Sequence, residues 1–257
     1  MYLLLDHSVG SGYKSKSQIA RIVTEQWAVQ NLFCPVCGSA SISRYGANRP
    51  VADFYCPQCT SDFELKSKET RKPLDITATT ILDGAYSTML ERITSQNNPN
   101  LFYMQHNATN VLSMVLIPRF FFTPAIIEKR PPLKETARRA GWVGCNIKLE
   151  SVPSVGKIQI IKDGVAESAQ AVVQEYQRAQ ALKTGDIEAR GWLMDVLLCV
   201  EKLGEHFNLS DMYSFESELA QKHPNNNFIQ PKIRQQLQVL RNKGLIEFVA
   251  PGIYRKL

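Results

Sequence analysis

The sequence predicts a mixed α/β (α+β) fold in two parts, and three observations predict it. Two Cys-x-x-Cys pairs, Cys34-Pro-Val-Cys37 and Cys56-Pro-Gln-Cys59, frame a short hairpin in the N-terminal half. Apolar runs suited to buried strands alternate with amphipathic helical stretches as far as Lys183. Beyond Thr184-Gly185-Asp186 the rhythm changes to three helices followed by a hairpin, the winged-helix variant of helix-turn-helix. Residues 1–185 and 186–257 are therefore expected to form separate domains.

Taken in order, Ser15 to Asn31 reads as an amphipathic helix, with Ile19, Ile22, Val23 and Trp27 at helical spacing. The first cysteine pair and a polar loop ending at Asn48-Arg49-Pro50 follow. Val51 to Tyr55 reads as a strand, Cys56 to Cys59 as a turn, and Phe63 to Lys68 as a second, alternating strand. Glu69 to Thr80 reads as a mobile loop, and Asp83 to Gln96 as a helix capped by Asp83 and ended by Asn97-Asn98-Pro99. Leu101 to Gln105 and Val111 to Ile117 read as buried strands. Thr123-Pro124 opens a short helix that stops at Pro131-Pro132. A basic loop from Lys134 to Trp142 precedes a strand at Lys157 to Ile161, a Lys162-Asp163-Gly164 turn, and a helix from Val165 to Lys183. In the last part, Trp192 to Leu203, Asp211 to Lys222 (capped by Ser210) and Phe228 to Lys243 read as helices. Ile246 to Val249 and Ile253 to Lys256 form a hairpin about Pro251-Gly252.

With 257 residues and 44% of them hydrophobic, the chain can bury a substantial core, which excludes general disorder. A formal charge of +6 leans toward a polyanionic partner. Its distribution says more: from Phe228 onward Lys232, Arg234, Arg241, Lys243, Arg255 and Lys256 face the single carboxylate Glu247. No apolar run is long enough to span a bilayer. Asp6 interrupts Met1 to Leu5, and no basic n-region precedes it. The expected location is the cytoplasm, where thiols stay reduced. That favours zinc over two disulfides, and the 18 residues between the pairs (38–55) suit one tetrahedral Zn²⁺ held by Cys34, Cys37, Cys56 and Cys59. Cys145 and Cys199 lack partners at ligand spacing and are expected to be buried small hydrophobes.

Strand alternation puts Glu64 and Lys66 on one face, and folding Val51 to Tyr55 back beside them can bring Asp53 opposite. Two carboxylates, with the Leu65 backbone carbonyl as an extra ligand, suit Mg²⁺. Such a metal activates a water and offsets charge on a phosphodiester, while Lys66 orients the water or stabilises the developing charge. Asp53, Glu64 and Lys66 are thus the candidate catalytic residues. An acidic residue followed by Glu-x-Lys also arises by chance, as a solvated strand face with a surface ion pair; the zinc-closed hairpin favours chemistry. The zinc would be structural, about 10 Å away along the strand, because four thiolates leave no open position.

On the last helix Ile233, Leu237 and Leu240 share an inward face, leaving Gln235, Gln238 and Asn242 outward beside Arg234 and Arg241. Gln suits an adenine edge, and Arg suits guanine or phosphate. Lys243, Tyr254, Arg255 and Lys256 could hold backbone on either side. Arg138-Arg139-Ala140-Gly141-Trp142 suits a loop pressed onto phosphates with the indole in the groove. Ordinary solvated surfaces, with Trp142 in the core, remain the alternative. A zinc-containing winged-helix regulator that binds DNA without cutting it is the competing function from another class.

With these residues assembled, the sequence resembles the DpnI family, restriction endonucleases that cut adenine-methylated DNA. The matching stretches are Tyr13-Lys14-Ser15, Asn48 to Tyr55, Phe63 to Lys68, Asp83-Gly84-Ala85-Tyr86, Ala137 to Asn146, Ile233 to Arg241 and Tyr254 to Leu257. They cover almost the whole chain, which departs from the pattern in residues 1–12 and from Glu69 to Thr80. The resemblance implies a PD-(D/E)xK restriction-endonuclease-like core with an inserted four-cysteine zinc site, followed by a winged helix. It implies a prokaryotic type II enzyme, expected to be monomeric, that cuts double-stranded DNA at G-A-T-C carrying N6-methyladenine and leaves blunt ends. Carried over by position, Asp53, Glu64 and Lys66 are catalytic and the four paired cysteines are zinc ligands. A methyl on adenine N6 is rewarded only by an apolar or aromatic surface, and Trp142 is the expected contact in the nuclease domain. A nuclease of the same fold that is blind to methylation is the nearest alternative.

Overall fold

Helix α1 (Lys16–Asn31) forms where its apolar spacing predicts, burying Val23, Trp27 and Ala28, with the Trp27 indole N–H donated to the Tyr2 carbonyl at 2.8 Å. The structure, a computed structural model, describes residues 1–46, 52–76 and 79–257. Asn48, Arg49, Pro50 and Val51 of the expected loop and strand lie outside the described residues, as do Thr77 and Ala78. Short strands β1 (Ser43–Arg44) and β2 (Phe54–Tyr55) lead into β3 (Asp62–Glu69), β4 (Thr80–Ala85) and α2 (Tyr86–Thr94). Then come β5 (Asn100–His106), β6 (Val111–Ile117), β7 (Ile127–Lys129), β8 (Gly144–Lys148), β9 (Ile158–Lys162), β10 (Val165–Ala166) and α3 (Ala169–Gln180).

Among the described residues a seven-stranded sheet runs β1-β2-β3-β5-β6-β9-β10. Only β3 and β5 run parallel; the other neighbours are antiparallel. Every residue of β5 is buried, which is why it reads as a continuous run rather than an alternation. Phe63 stacks on Phe102 across the parallel pair at 4.9 Å between centroids. A three-stranded sheet, β4-β8-β7, lies beside it in the chain's N-terminal part.

Several stretches differ from the sequence reading. Asp83 is not a helix cap: Thr80–Ala85 is a strand paired with β8, Asp83 faces Cys145 across it, and the helix starts only at Tyr86. Asp-Gly before an amphipathic stretch imitates a cap, but here the peptides bond across a sheet. Val165 and Ala166 fold back onto Lys162 and Ile161. Asp163 and Gly164 both take positive φ, 49° and 76°, the geometry of a tight primed hairpin turn. Helix α3 therefore begins after Ser168, whose hydroxyl accepts the Ala171 N–H at 3.1 Å. The loop after β3 is shorter than expected, since Glu69 still pairs with His106 and Thr80 already belongs to β4. Thr123-Pro124 yields a single 3-10 turn, Pro124–Ile126, before β7. Strand β8 has no counterpart in the sequence reading.

The C-terminal part comprises α4 (Ile187–Lys202), β11 (His206–Asn208), α5 (Leu209–Tyr213), α6 (Glu216–Lys222), α7 (Ile229–Asn242), β12 (Ile246–Ala250) and β13 (Ile253–Lys256). The single helix expected over Asp211 to Lys222 is two. Its cap is Asn208, in a reciprocal capping box with Asp211, rather than Ser210. The hairpin gains β11 as a third strand, in the order β11-β13-β12. Helix α4 joins the two parts. Arg190, buried on it, donates to the carbonyls of Phe122 (3.1 Å) and Thr184 (3.3 Å), and Glu201 accepts from Ser154 N and Oγ at 2.8 and 2.7 Å. Among the described residues no helix is long and apolar enough to cross a membrane.

Candidate active site

Both cysteine turns fold by the same pair of backbone bonds. Gly38 N–H reaches Cys34 O at 2.9 Å and Cys34 N–H reaches Ser39 O at 2.8 Å; Thr60 and Cys56 repeat this with Cys56 O and Ser61 O at 3.0 and 2.9 Å. Each turn needs a left-handed residue after its second cysteine, and Gly38 (φ 79°) and Thr60 (φ 56°) supply it. The four sulfurs lie within 4.8 Å of one another, with Cys34–Cys59 and Cys37–Cys56 each at 3.6 Å. A tetrahedron with Zn–S bonds of about 2.3 Å has edges of about 3.8 Å, so the set fits one Zn²⁺. Against the desolvation of burial, the backbone N–H groups of Cys59 and Gln58 bring the Cys56 thiol down to about 7, which favours the metal-binding thiolate. Cys145 and Cys199 are fully buried, as expected of small hydrophobes.

The second turn hands the chain straight into the hairpin. Phe54 faces Phe63 and Tyr55 faces Asp62, so one more step of that antiparallel register sets Asp53 opposite Glu64. Asp53 N–H donates to Phe63 O at 2.9 Å, and Asp53 Oδ2 accepts the Leu65 N–H at 2.8 Å. Glu64 and Lys66 share a face, with Nζ 2.8 Å from Glu64 Oε1. Asp53, Glu64 and Lys66 are thus neighbours on one hairpin beside the cysteine frame.

Two side chains that the sequence reading missed join them. Asp83 Oδ1 lies 2.7 Å from Lys66 Nζ, and Arg92 Nη2 on α2 lies 2.9 Å from Glu64 Oε2. Reading residues 80–85 as a strand would have been the signal for Asp83, since a charged residue on a half-buried strand asks for a partner. Beyond the hairpin, Glu25 on α1 is buried and ion-paired with Arg21 at 3.0 Å and with Arg44. Burial raises its pKa against those two arginines.

Burial also raises the Asp53 pKa; the Leu65 N–H opposes that rise and the Glu64 charge adds to it. For Lys66, desolvation works against the charge, but Glu64 and Asp83 overcome it and hold the ammonium well above its usual range. Asp53 and Glu64 offer hard carboxylate oxygens of the kind Mg²⁺ takes. A carboxylate offers about four lone-pair sites, so the bonds from Lys66 and Arg92 leave Glu64 room for a metal.

Arg138 and Arg139 are exposed in the β7–β8 loop, and the Arg139 guanidinium lies 4.7 Å from the Trp142 ring centroid. Trp142 is half-buried, neither core nor free, with its indole over Gly144; a Cβ on Gly144 would approach it to 2.8 Å. On α7, Ile233, Leu237 and Leu240 are buried while Arg234, Gln235, Gln238, Arg241 and Asn242 are exposed. Gln236 is buried beside the apolar residues. Arg234 donates to the Tyr213 hydroxyl. In the wing, Tyr254 stacks on Phe207 at 5.4 Å and Arg255 pairs with Glu247 at 2.5 Å. Lys243 and Lys256 are engaged within the protein instead of standing free for a backbone. Lys243 donates to Ala181 O, and Lys256 to Glu201 O and Leu203 O at 3.2 and 2.6 Å, where it caps the end of α4.

Two family models match this chain. One, described as DpnI: Dam-replacing family, spans residues 1–185; the other, described as the Dam-replacing HTH domain, spans residues 188–256.

Proposed function

Because the chain belongs to the DpnI, or Dam-replacing, family, we propose that it is a Mg²⁺-dependent type II restriction endonuclease that cuts G-A-T-C sites carrying N6-methyladenine and leaves blunt ends. Membership itself supports a methylation-dependent restriction endonuclease, a hydrolase acting on DNA, with a helix-turn-helix domain. In the finer reading residues 1–185 are the catalytic domain, residues 186–257 the second reader of the site, and the chain acts as a monomer. The observation that carries it is the grouping of Asp53, Glu64 and Lys66 on one hairpin, with Lys66 Nζ 2.8 Å from Glu64 Oε1 and Asp53 Oδ2 2.8 Å from Leu65 N.

Asp53, Glu64 and the Leu65 carbonyl are the groups that would hold the cation. Once bound there, Mg²⁺ supplies an activated water and offsets charge on the phosphate. Asp53 is kept in place by the Leu65 N–H, so its second oxygen is directed without loss of side-chain freedom at the moment of binding. Lys66 donates to the attacking water or to a phosphate oxygen as negative charge grows. Cys34, Cys37, Cys56 and Cys59, closed on Zn²⁺, hold the turn from which β3 departs. Trp142 offers an aromatic face to the adenine methyl, and Arg138 and Arg139 flank it for phosphates. On the winged helix, Gln235 and Gln238 face base edges, with Arg234, Arg241, Tyr254 and Arg255 around them.

Cleavage of matched G-A-T-C duplexes, unmethylated, hemimethylated and fully methylated, tests this in Mg²⁺ with Ca²⁺ as control. Cutting confined to methylated duplexes, and lost in Lys66→Ala with binding retained, is expected. Equal cutting of all three would remove methyl reading from the proposal. Binding without cutting by the wild type would leave a regulator.

A further inference from the structure

We propose that Asp83 is the positioning residue for Lys66: it fixes the direction in which the ammonium presents its remaining proton to the reacting phosphate. The inference rests on Lys66 having the role given it above. A lysine reaches its target through four rotatable bonds, and its ammonium carries three donors that turn freely. Here two of the three are taken, one by Glu64 Oε1 at 2.8 Å and one by Asp83 Oδ1 at 2.7 Å. Tetrahedral geometry then sets the third direction. Nothing else in the side chain has to be ordered when DNA arrives.

The two anchors are not equivalent. Glu64 is also held by Arg92 at 2.9 Å, and it belongs to the donor set for the divalent cation. Its oxygens are shared among three demands. Asp83 has no such second duty. It stands on a different sheet, in β4, where the backbone is registered against Cys145 of β8. Its Oδ1 also accepts the Gly84 N–H at 2.7 Å, and the side chain is only 5% exposed. Oδ2 is buried and has no hydrogen-bond partner among the described residues, so the carboxyl is committed through Oδ1 alone. A buried carboxylate oxygen left without a donor is costly, and such costs collect where geometry serves function. When the cation draws on Glu64, Asp83 is the anchor that keeps Nζ over the site.

The test measures three quantities for Asp83→Ala and Asp83→Asn: single-turnover cleavage at saturating methylated duplex, duplex affinity in Ca²⁺, and the Mg²⁺ concentration giving half the maximal rate. Asn keeps an acceptor oxygen at the same place; Ala does not. Misplacing a catalytic group by about 1 Å costs on the order of 100-fold. Asp83→Ala should therefore lose roughly 10- to 100-fold in rate, with affinity and Mg²⁺ requirement unchanged, while Asp83→Asn recovers most of it. A role in folding alone would lower the thermal midpoint and would not separate rate from affinity. If Asp83→Ala does not fold, Asp83→Ser, too short to reach Nζ, takes its place.

Wild-type rate in Asp83→Ala overturns the inference. So does equal loss in Ala and Asn, which would make the charge and not the acceptor the important property. A Mg²⁺ requirement raised in step with the lost rate would make Asp83 part of the metal site instead. Lys66→Ala run alongside separates the two levels: if it still cleaves, the reading of the active site fails; if it is inactive and Asp83→Ala is normal, only this inference does.

Discussion

Gly144→Ala places a methyl group directly beneath the indole of Trp142, and its effect on methyl reading can be worked from the contact. The new Cβ would lie 2.8 Å from Cζ3 and 2.9 Å from Cη2 of that ring. Carbon pairs rest at about 3.5–4.0 Å, so one of the two must yield by about 1 Å. Gly144 is locked in β8, opposite Ala85, whereas Cζ3 and Cη2 are the far end of a half-buried side chain. The ring moves. Burying a methyl group is worth about 0.8 kcal/mol, so a methyl covered by the Trp142 ring should make a methylated duplex preferred about fourfold through this surface. Displacing the indole should erase most of that preference. The assay is competition between methylated and unmethylated G-A-T-C duplexes in Ca²⁺, where binding proceeds without cutting. Asp53, Glu64 and Lys66 are untouched, so cleavage at saturating DNA should stay near the wild-type rate. An undiminished preference, together with a shifted tryptophan emission showing that the ring had moved, would refute Trp142 as the methyl contact.

Asp53→Asn should abolish cleavage yet stabilise the magnesium-free protein at neutral pH. The folded-state pKa of Asp53 is raised by burial, so native stability is lost as pH rises through that value, and the amide escapes the loss. Thermal unfolding should show a higher midpoint for the variant at pH 8, with the gap closing as the pH falls through the folded-state pKa toward the ordinary carboxylate value. Cys56→Ala should leave the purified chain without its zinc, as read by metal analysis, and should lower stability by several kcal/mol, on the order expected when a structural metal is lost. Gln238→Ala should cost about 1–3 kcal/mol and relax preference at one base position. Arg241→Ala should weaken binding to every sequence and lower the slope of log affinity against log salt by about 1. A titration of both variants on cognate and scrambled duplexes checks the pair.

What could be read from the sequence was whatever depends on neighbours along the chain. The Cys-x-x-Cys turns, the buried runs of β5 and β6, the apolar face of α7 and the wing all carry their signal locally. So does the placing of Glu64 and Lys66 on one face, which follows from alternation alone. Asp83 and Arg92 were not legible, because Asp83 reaches Lys66 from a strand of the second sheet and Arg92 reaches Glu64 from helix α2, both through tertiary packing. The same blindness ran the helix back to Asp83 and left Thr80–Ala85 unread as a strand: its true partner, β8, lies some sixty residues later and was not itself recognised. The misreading of Val165 had a local remedy, since Asp163-Gly164 is a strong hairpin signal and a strand should have been continued through it. Lys243 and Lys256 were counted as open cations for want of any sign that the carbonyls of Ala181, Glu201 and Leu203 would come to meet them.

Those carbonyl contacts bear on how the two halves of the chain can change over time. Arg190 addresses Phe122 O and Thr184 O, and Lys243 addresses Ala181 O. A peptide oxygen is present whatever residue bears it. At these contacts the surface facing the winged helix can therefore drift in side-chain identity while the joint persists, provided Arg190, Lys243 and Glu201, which accepts the Ser154 N–H, remain. Halves exchanged between diverged members of the family should still seat on one another, and new flanking preferences could arise by recombination without redesign of the seam.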